Sequence, residues 1–184
     1  VQPVHRLDLA RRYGAIVMCG GFGLGGSRDQ DIEALRRMLD HLVPGGRLAL
    51  DYEVDDGDVS RWKVTPPTTP TPTPPGPEQR RRGRDGFEYA LGHRLVEVDR
   101  VARSAVRELE AWQWRNGQLV GHETHRLVGN LWRPDEIVNA LSDVGFEDVQ
   151  VVGGYHGGPP TGDERFLVHL ARRPDDSAVS RPAN

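Results

Sequence analysis

Gly21-Phe-Gly-Leu-Gly-Gly26 reads G-x-G-x-x-G, and Asp51 follows 25 residues after its last glycine. Glycines so spaced let a backbone turn tightly and approach a pyrophosphate, and an acid about 20 residues on can hold a ribose hydroxyl. Asp29, Asp31 and Glu33 work against a nicotinamide dinucleotide there. They fall in the first turns of the next helix, where their charge opposes a phosphate's. Two other readings stay open: a plain flexible loop, or a loop at the carboxyl end of a sheet strand that borders a ligand.

Other reactive side chains are scattered. His122 and His125 are three apart on a strand-like segment, so they point to opposite faces and cannot grip one ion together. Cys19 ends an apolar run and reads as a core thiol. No Cys/His/Asn or Ser/His/Asp arrangement assembles, and His93, His122 and His156 are the candidate bases if a reaction needs one. Trp112 and Trp114 share a strand face, as cover for a sheet or as a pocket wall. Arg94 sits mid-strand, either a solvated edge charge or an anion clamp.

The elements that must carry these groups begin with Ala15–Cys19, a short apolar run stopped by Gly20-Gly21, which reads as a strand buried on both faces. Ser27 with Gln30 forms a possible capping box. Ile32, Leu35, Met38, Leu39, Leu42 and Val43 then mark one helical face. Pro44-Gly45-Gly46 stops that helix, and 47–52 reads as a second buried strand, completing a βαβ unit. Residues 89–98, 106–115 and 118–128 read as an antiparallel meander, with Asn116-Gly117 as a hairpin turn. Pro134 opens a second helix and Gly145 closes it. Two short strands, 149–152 and 166–170, follow, and the tail from Pro174 reads as disordered.

Between Pro66 and Pro77, seven of twelve residues are proline, so this stretch holds neither a helix nor an inner strand. Arg80, Arg81, Arg82 and Arg84 follow, read as a charged linker or as a patch for an acidic or SH3-like partner. The expected divisions are 1–55 (βαβ), 56–85 (linker), 86–130 (insert), 131–173 (end of the core) and 174–184 (tail). The chain has 184 residues and a net charge of −3, which argues against a nucleic-acid partner, since phosphate contacts need surplus Lys and Arg. One cysteine excludes an internal disulfide framework. No apolar run approaches 18 residues, so no membrane span is expected, and the cytoplasm is the default location.

The order of motifs resembles a known family. Arg11-Arg-Tyr-Gly-Ala-Ile-Val17, Gly20-Gly-Phe-Gly-Leu24 and Leu39-Asp-His-Leu-Val-Pro-Gly-Gly-Arg-Leu-Ala-Leu-Asp51 are similar to the middle of class I S-adenosylmethionine-dependent methyltransferases. Gly86-Phe-Glu-Tyr-Ala-Leu91, Trp114-Arg-Asn-Gly-Gln-Leu-Val120, Leu141-Ser-Asp-Val-Gly-Phe-Glu-Asp-Val149 and Phe166–Arg173 are similar to the later part. The resemblance covers about residues 5–173. It implies an α/β fold: a partial Rossmann-like methyltransferase sheet, equivalent to strands four to seven, with an inserted three-stranded antiparallel lid. It implies methyl transfer from S-adenosylmethionine to a small-molecule acceptor. Gly20, Gly21 and Phe22 match where the family lines the cofactor, and Leu7 and Asp8 lie near the segment that brackets the adenine. Trp62, Arg94, Trp114 and Tyr155 are the candidate substrate wall.

No E/D-x-G-x-G sequence occurs before Ala15. The chain is therefore expected to be a C-terminal portion or an incomplete product, weak or inactive alone. Without a neighbour, residues 15–19 form an uncharged edge open to self-association. A non-catalytic half-fold acting as an interaction module is the alternative from another class.

Overall fold

The computed structural model describes residues 2–53, 73–99 and 101–176. Trp62, most of the proline-rich stretch and the last part of the tail lie outside the described residues. In chain order the elements are β1 (Tyr13–Met18), α1 (Arg28–Asp40), β2 (Leu42–Glu53), β3 (Arg81–Arg82), β4 (Glu88–Asp99), β5 (Ser104–Arg115), β6 (Gln118–Asn130), α2 (Pro134–Val144), β7 (Glu147–Gly153) and β8 (Phe166–Arg172). They form two units, Val1–Arg61 with Trp132–Asn184, and Trp62–Leu131.

In the first unit, α1 starts where the capping box predicts. The Ser27 hydroxyl accepts from the Gln30 amide, and the Gln30 side chain accepts from the Ser27 amide at 2.8 Å. The helix stops at Asp40, not at the Pro-Gly-Gly, and Leu42 and Val43 belong to β2. Tertiary pairing decides this. Leu42 is in register with Tyr13, the Gly45 amide donates to the Arg173 carbonyl, and the Arg173 amide donates to the Gly46 carbonyl. The Arg173 guanidinium also takes up the carbonyls of Leu39, Asp40 and Leu42, the open acceptors where α1 ends.

The sheet order is β1-β2-β8-β7. β1 runs parallel to β2, while β8 is antiparallel to both β2 and β7. Leu48, Leu50 and Ala171 face the buried sides of α1 and α2, which supply Leu35, Met38, Ile137 and Leu141. α2 begins on Pro134 and ends on Gly145 at φ +106°, as its end signals predict. Trp132 closes this core. Its indole N–H donates to Asp31, its amide donates to the Tyr52 hydroxyl, both at 2.9 Å, and the Arg28 guanidinium lies 3.6 Å above its ring.

The opposite face of the sheet is open around β1 among the described residues, while Asp51 and Val168 on the same face are buried. Val17 is 68% exposed there, and a cleft of about 310 Å³ runs across Ala15, Val17, Arg47, Ala49, Gln150 and Leu170. Cys19 is exposed rather than buried, because among the described residues no strand pairs with the outer side of β1.

The second unit is an antiparallel sheet of order β3-β4-β5-β6. Its three long strands are those read from the sequence, and the two-residue β3 adds a fourth. Asn116 and Gly117 have φ of +52° and +78°, the left-handed pair that lets a two-residue turn follow the twist of β5 and β6. The arginine cluster is not simply a solvated linker. Arg80 stacks 4.2 Å over Trp114 and pairs with Glu88, because a flat guanidinium covers an indole face well.

His169 on β8 is fully buried, and neither ring nitrogen has a hydrogen-bond partner of normal geometry. Burial pushes its pKa below the ordinary histidine value, and the nearby carbonyls of Pro134 and Leu50 offset this only in part. The unfolded chain therefore binds this proton at higher pH than the folded chain does. Stability is expected to fall as pH drops through about 6.5. Urea unfolding of His169→Leu at pH 7.5 and pH 5.5 should show less loss between the two than the parent chain shows. Trp132→Ala should cost about 3–5 kcal/mol in the same measurement, since it removes a large buried ring at the meeting point of two segments.

Candidate functional site

β1, β2 and β7 point the same way, so their carboxyl ends gather at one edge of the first unit's sheet. This is the edge where open α/β sheets bind ligands. β1 delivers Cys19, Gly20 and Gly21 to that edge, β2 delivers Asp51, and the connection after β7 delivers Tyr155.

Asp51 ties them together. Its Oδ1 accepts from the Gly20 amide and its Oδ2 accepts from the Tyr155 hydroxyl. Asp51 is 5% exposed, whereas the Tyr155 ring is 68% exposed. The Tyr155 pKa is pushed up to about 12, first by the hydrogen bond to Asp51, then by desolvation and by the charge of Asp51. Gly20 turns the chain at φ +61°, a conformation that disfavours any side chain. The connection carrying Tyr155 is pinned by Glu164, which accepts from the Thr161 amide and hydroxyl and from the Gly162 amide. Those bonds hold the Glu164 carboxyl down at about 2.

The candidate residues divide. Gly20, Gly21 and Tyr155 come together at this edge. Phe22 does not line it: the ring is 3% exposed and packs 5.4 Å from Trp132 and 6.4 Å from Tyr52, anchoring the turn in the core. Leu7 and Asp8 run along α1 toward its carboxyl end, where the Leu9 amide donates to His41. The glycine turn lies at the other end of that helix. Trp62 lies outside the described residues.

Arg94 and Trp114 belong to the second unit. Arg94 faces Glu108 in register and is bonded to it, so its charge is already matched. Trp114 is buried with Trp112 and Ala90 as that unit's small core. His122 bonds Glu110 at 2.6 Å and stacks on Trp112, while His125 pairs with Glu123. The two histidines thus serve separate partners.

The glycine turn is not part of the lining of the cleft on the sheet's open face. The start of α1 offers little to a pyrophosphate, because the Ser27 and Gln30 amides are taken by the capping box. Asp51 was legible only as a possible ribose ligand. Its tie to Gly20 spans 31 residues and its tie to Tyr155 spans 104, beyond any local signal. Among the described residues no helix is long and apolar enough to cross a membrane.

No family model matches the chain, and no curated protein matches it. Solved structures do. A S-adenosylmethionine-dependent methyltransferase from Clostridium acetobutylicum is similar at 12% identity and a TM-score of 0.66, over 94% of this chain and 63% of that one. An amino pentose methyltransferase from Micromonospora echinaspora is similar at 15% identity and 0.56, over 94% and 63%. A sugar N-methyltransferase from Streptoalloteichus sp is similar at 15% identity and 0.58, over 95% and 61%. The chain therefore spans less than two thirds of the length of each, and over that span it has the Rossmann-like fold of the class I S-adenosylmethionine-dependent methyltransferases.

Proposed function

We propose that the chain takes part in methyl transfer from S-adenosylmethionine to a small molecule. The observation that carries this reading is the Gly20–Gly21 turn at the carboxyl end of β1, exposed at Gly20 and tied to Asp51 at the end of the neighbouring parallel strand, within a methyltransferase fold. The cofactor fits such an edge. A Cβ at Gly20 would meet nothing within 4 Å, so the backbone is open to a ligand. The Asp51 carboxylate supplies negative potential suited to a sulfonium cation.

When bound, S-adenosylmethionine supplies an electrophilic methyl group. Gly20 and Gly21 hold the cofactor through their backbone, and Tyr155 screens the edge from water and helps align the acceptor. The reading places this reaction in the cytoplasm, where the exposed Cys19 stays a thiol.

Calorimetric titration tests it. One glycine turn and one carboxylate are few contacts, so S-adenosylmethionine is expected to bind with a Kd on the order of 0.1–1 mM. Gly20→Val should abolish that heat, and NAD should produce none. No heat with S-adenosylmethionine favours the interaction-module alternative, and heat with NAD alone favours the dinucleotide reading.

We infer further that copies of the chain associate through β1. Among the described residues this strand ends the sheet; it carries no charge between Tyr13 and Met18 and exposes Val17. Val17→Lys, a charge placed on an already exposed position, should shift sedimentation-velocity profiles toward the monomer. Identical profiles for both chains would end this inference.

A further inference from the structure

The segment before β1 lies along α1, and a histidine fastens it at each end. His5, on the single helical turn Val4–Arg6, meets Gln30, with its Nε2 3.3 Å from the Gln30 Nε2. The Gln30 Oε1 is held by the Ser27 amide, so the Gln30 nitrogen faces His5 and donates to it. At the other end the buried ring of His41 accepts from the Leu9 amide through Nε2, at 2.9 Å. The His41 Nδ1 lies 2.7 Å from the Arg37 carbonyl, so Nδ1 carries that ring's hydrogen. Both fastenings need a lone pair on Nε2, which a neutral imidazole has and a charged one lacks.

Protonation turns each Nε2 into a donor that faces another N–H. At His41 the carbonyl end of α1 favours a cation, so the bond to Arg37 survives proton uptake and the bond from Leu9 is lost. The charged residues around the segment are otherwise engaged or unpaired with these rings. Glu33 and Arg37, on the side of α1 between Gln30 and His41, bond each other at 2.8 Å. Arg12 and Arg173 donate to carbonyls at the end of α1, and Arg11 lies over the Tyr13 ring. Arg6, Asp8 and Asp40 complete the set, and among the described residues no carboxylate pairs with His5 or His41. The Tyr13 amide donates to the His41 carbonyl, a bond that does not titrate and that sets the hinge.

We propose that residues 3–9 form an acid-released strap, closed on α1 near neutral pH and opened in mild acid by loss of the bonds that His5 and His41 accept. Opening draws Val4 away from the core it packs against. It leaves α1 capped, since Ser27 and Gln30 keep their own bonds. Release involves none of Gly20, Asp51 and Tyr155, so it stands or falls apart from methyl transfer.

The test follows hydrogen exchange of single amides by two-dimensional NMR at pH 7.5 and pH 5.0, which bracket most of the range over which a histidine changes charge. Each rate is divided by that of an unstructured peptide at the same pH. Protection of the Leu9 amide is expected to fall about tenfold between the two, the usual worth of one hydrogen bond. The Leu48 and Leu50 amides of β2 report any loss of stability of the whole fold, and their protection should fall less. Ring-nitrogen spectra should show both His5 and His41 with the hydrogen on Nδ1 at pH 7.5 and charged at pH 5.0. His41→Gln supplies an acceptor that does not titrate, so its Leu9 protection should follow β2 at both pH values.

A fall at Leu9 no larger than that in β2 overturns the proposal. So does a His41 ring still neutral at pH 5.0, or a Leu9 response unchanged in His41→Gln. Should His41→Gln fail to fold, the Leu9 amide and the ring spectra of the parent chain decide.

Discussion

The indole of Trp132 joins the two stretches of sequence that build the first unit. Its N–H reaches Asp31 on α1, its amide reaches Tyr52 on β2, and its ring lies under Arg28, which also pairs with Glu136 on α2. Phe22 packs against the same ring. One residue, through its ring and its backbone amide, thereby fixes α1, the end of β2, the start of α2 and the glycine turn relative to one another. The turn can be rich in glycine and still hold its place, because Phe22 is its anchor and Trp132 is what the anchor grips.

A second constraint acts at the same edge. Asp51 holds the backbone of the turn on one side and Tyr155 on the other, so three strand ends converge on one carboxylate. Burial makes such a group costly unless its hydrogen bonds are satisfied, and both of its oxygens are. The arrangement combines a rigid scaffold with an exposed aromatic rim, the usual division of labour between a sheet and the loops at its carboxyl end.

Local signals in the sequence were reliable where local forces decide. Ser27 with Gln30, Pro134 with Gly145, and Asn116-Gly117 each set an end or a turn through neighbouring atoms, and each appears where expected. The order of strands and helices was enough to name the fold class. Misreadings arose where a distant partner decides. Phe22 looked like part of a ligand surface until Trp132 drew it inward. Leu42 and Val43 fitted a helical stripe, yet pairing with β1 and the clasp of Arg173 made them strand. Arg80 looked solvated because the indole beneath it lies 34 residues away in sequence. Cys19 looked buried because an apolar run implies neighbours on both sides, and among the described residues β1 has one.

Of the four described strands of the first unit's sheet, the one that closes it, β8, comes latest in the chain. β8 lies between β2 and β7, with Arg47 of β2 facing Arg172 of β8. During synthesis β1, α1 and β2 leave the ribosome with that flank of β2 open, and the whole second unit emerges before the gap can be filled. Contacts so far apart in sequence slow closure, and an open apolar flank invites misassembly meanwhile. Sealing of this core therefore waits on the synthesis of β8, whatever the propensity of the segments before it.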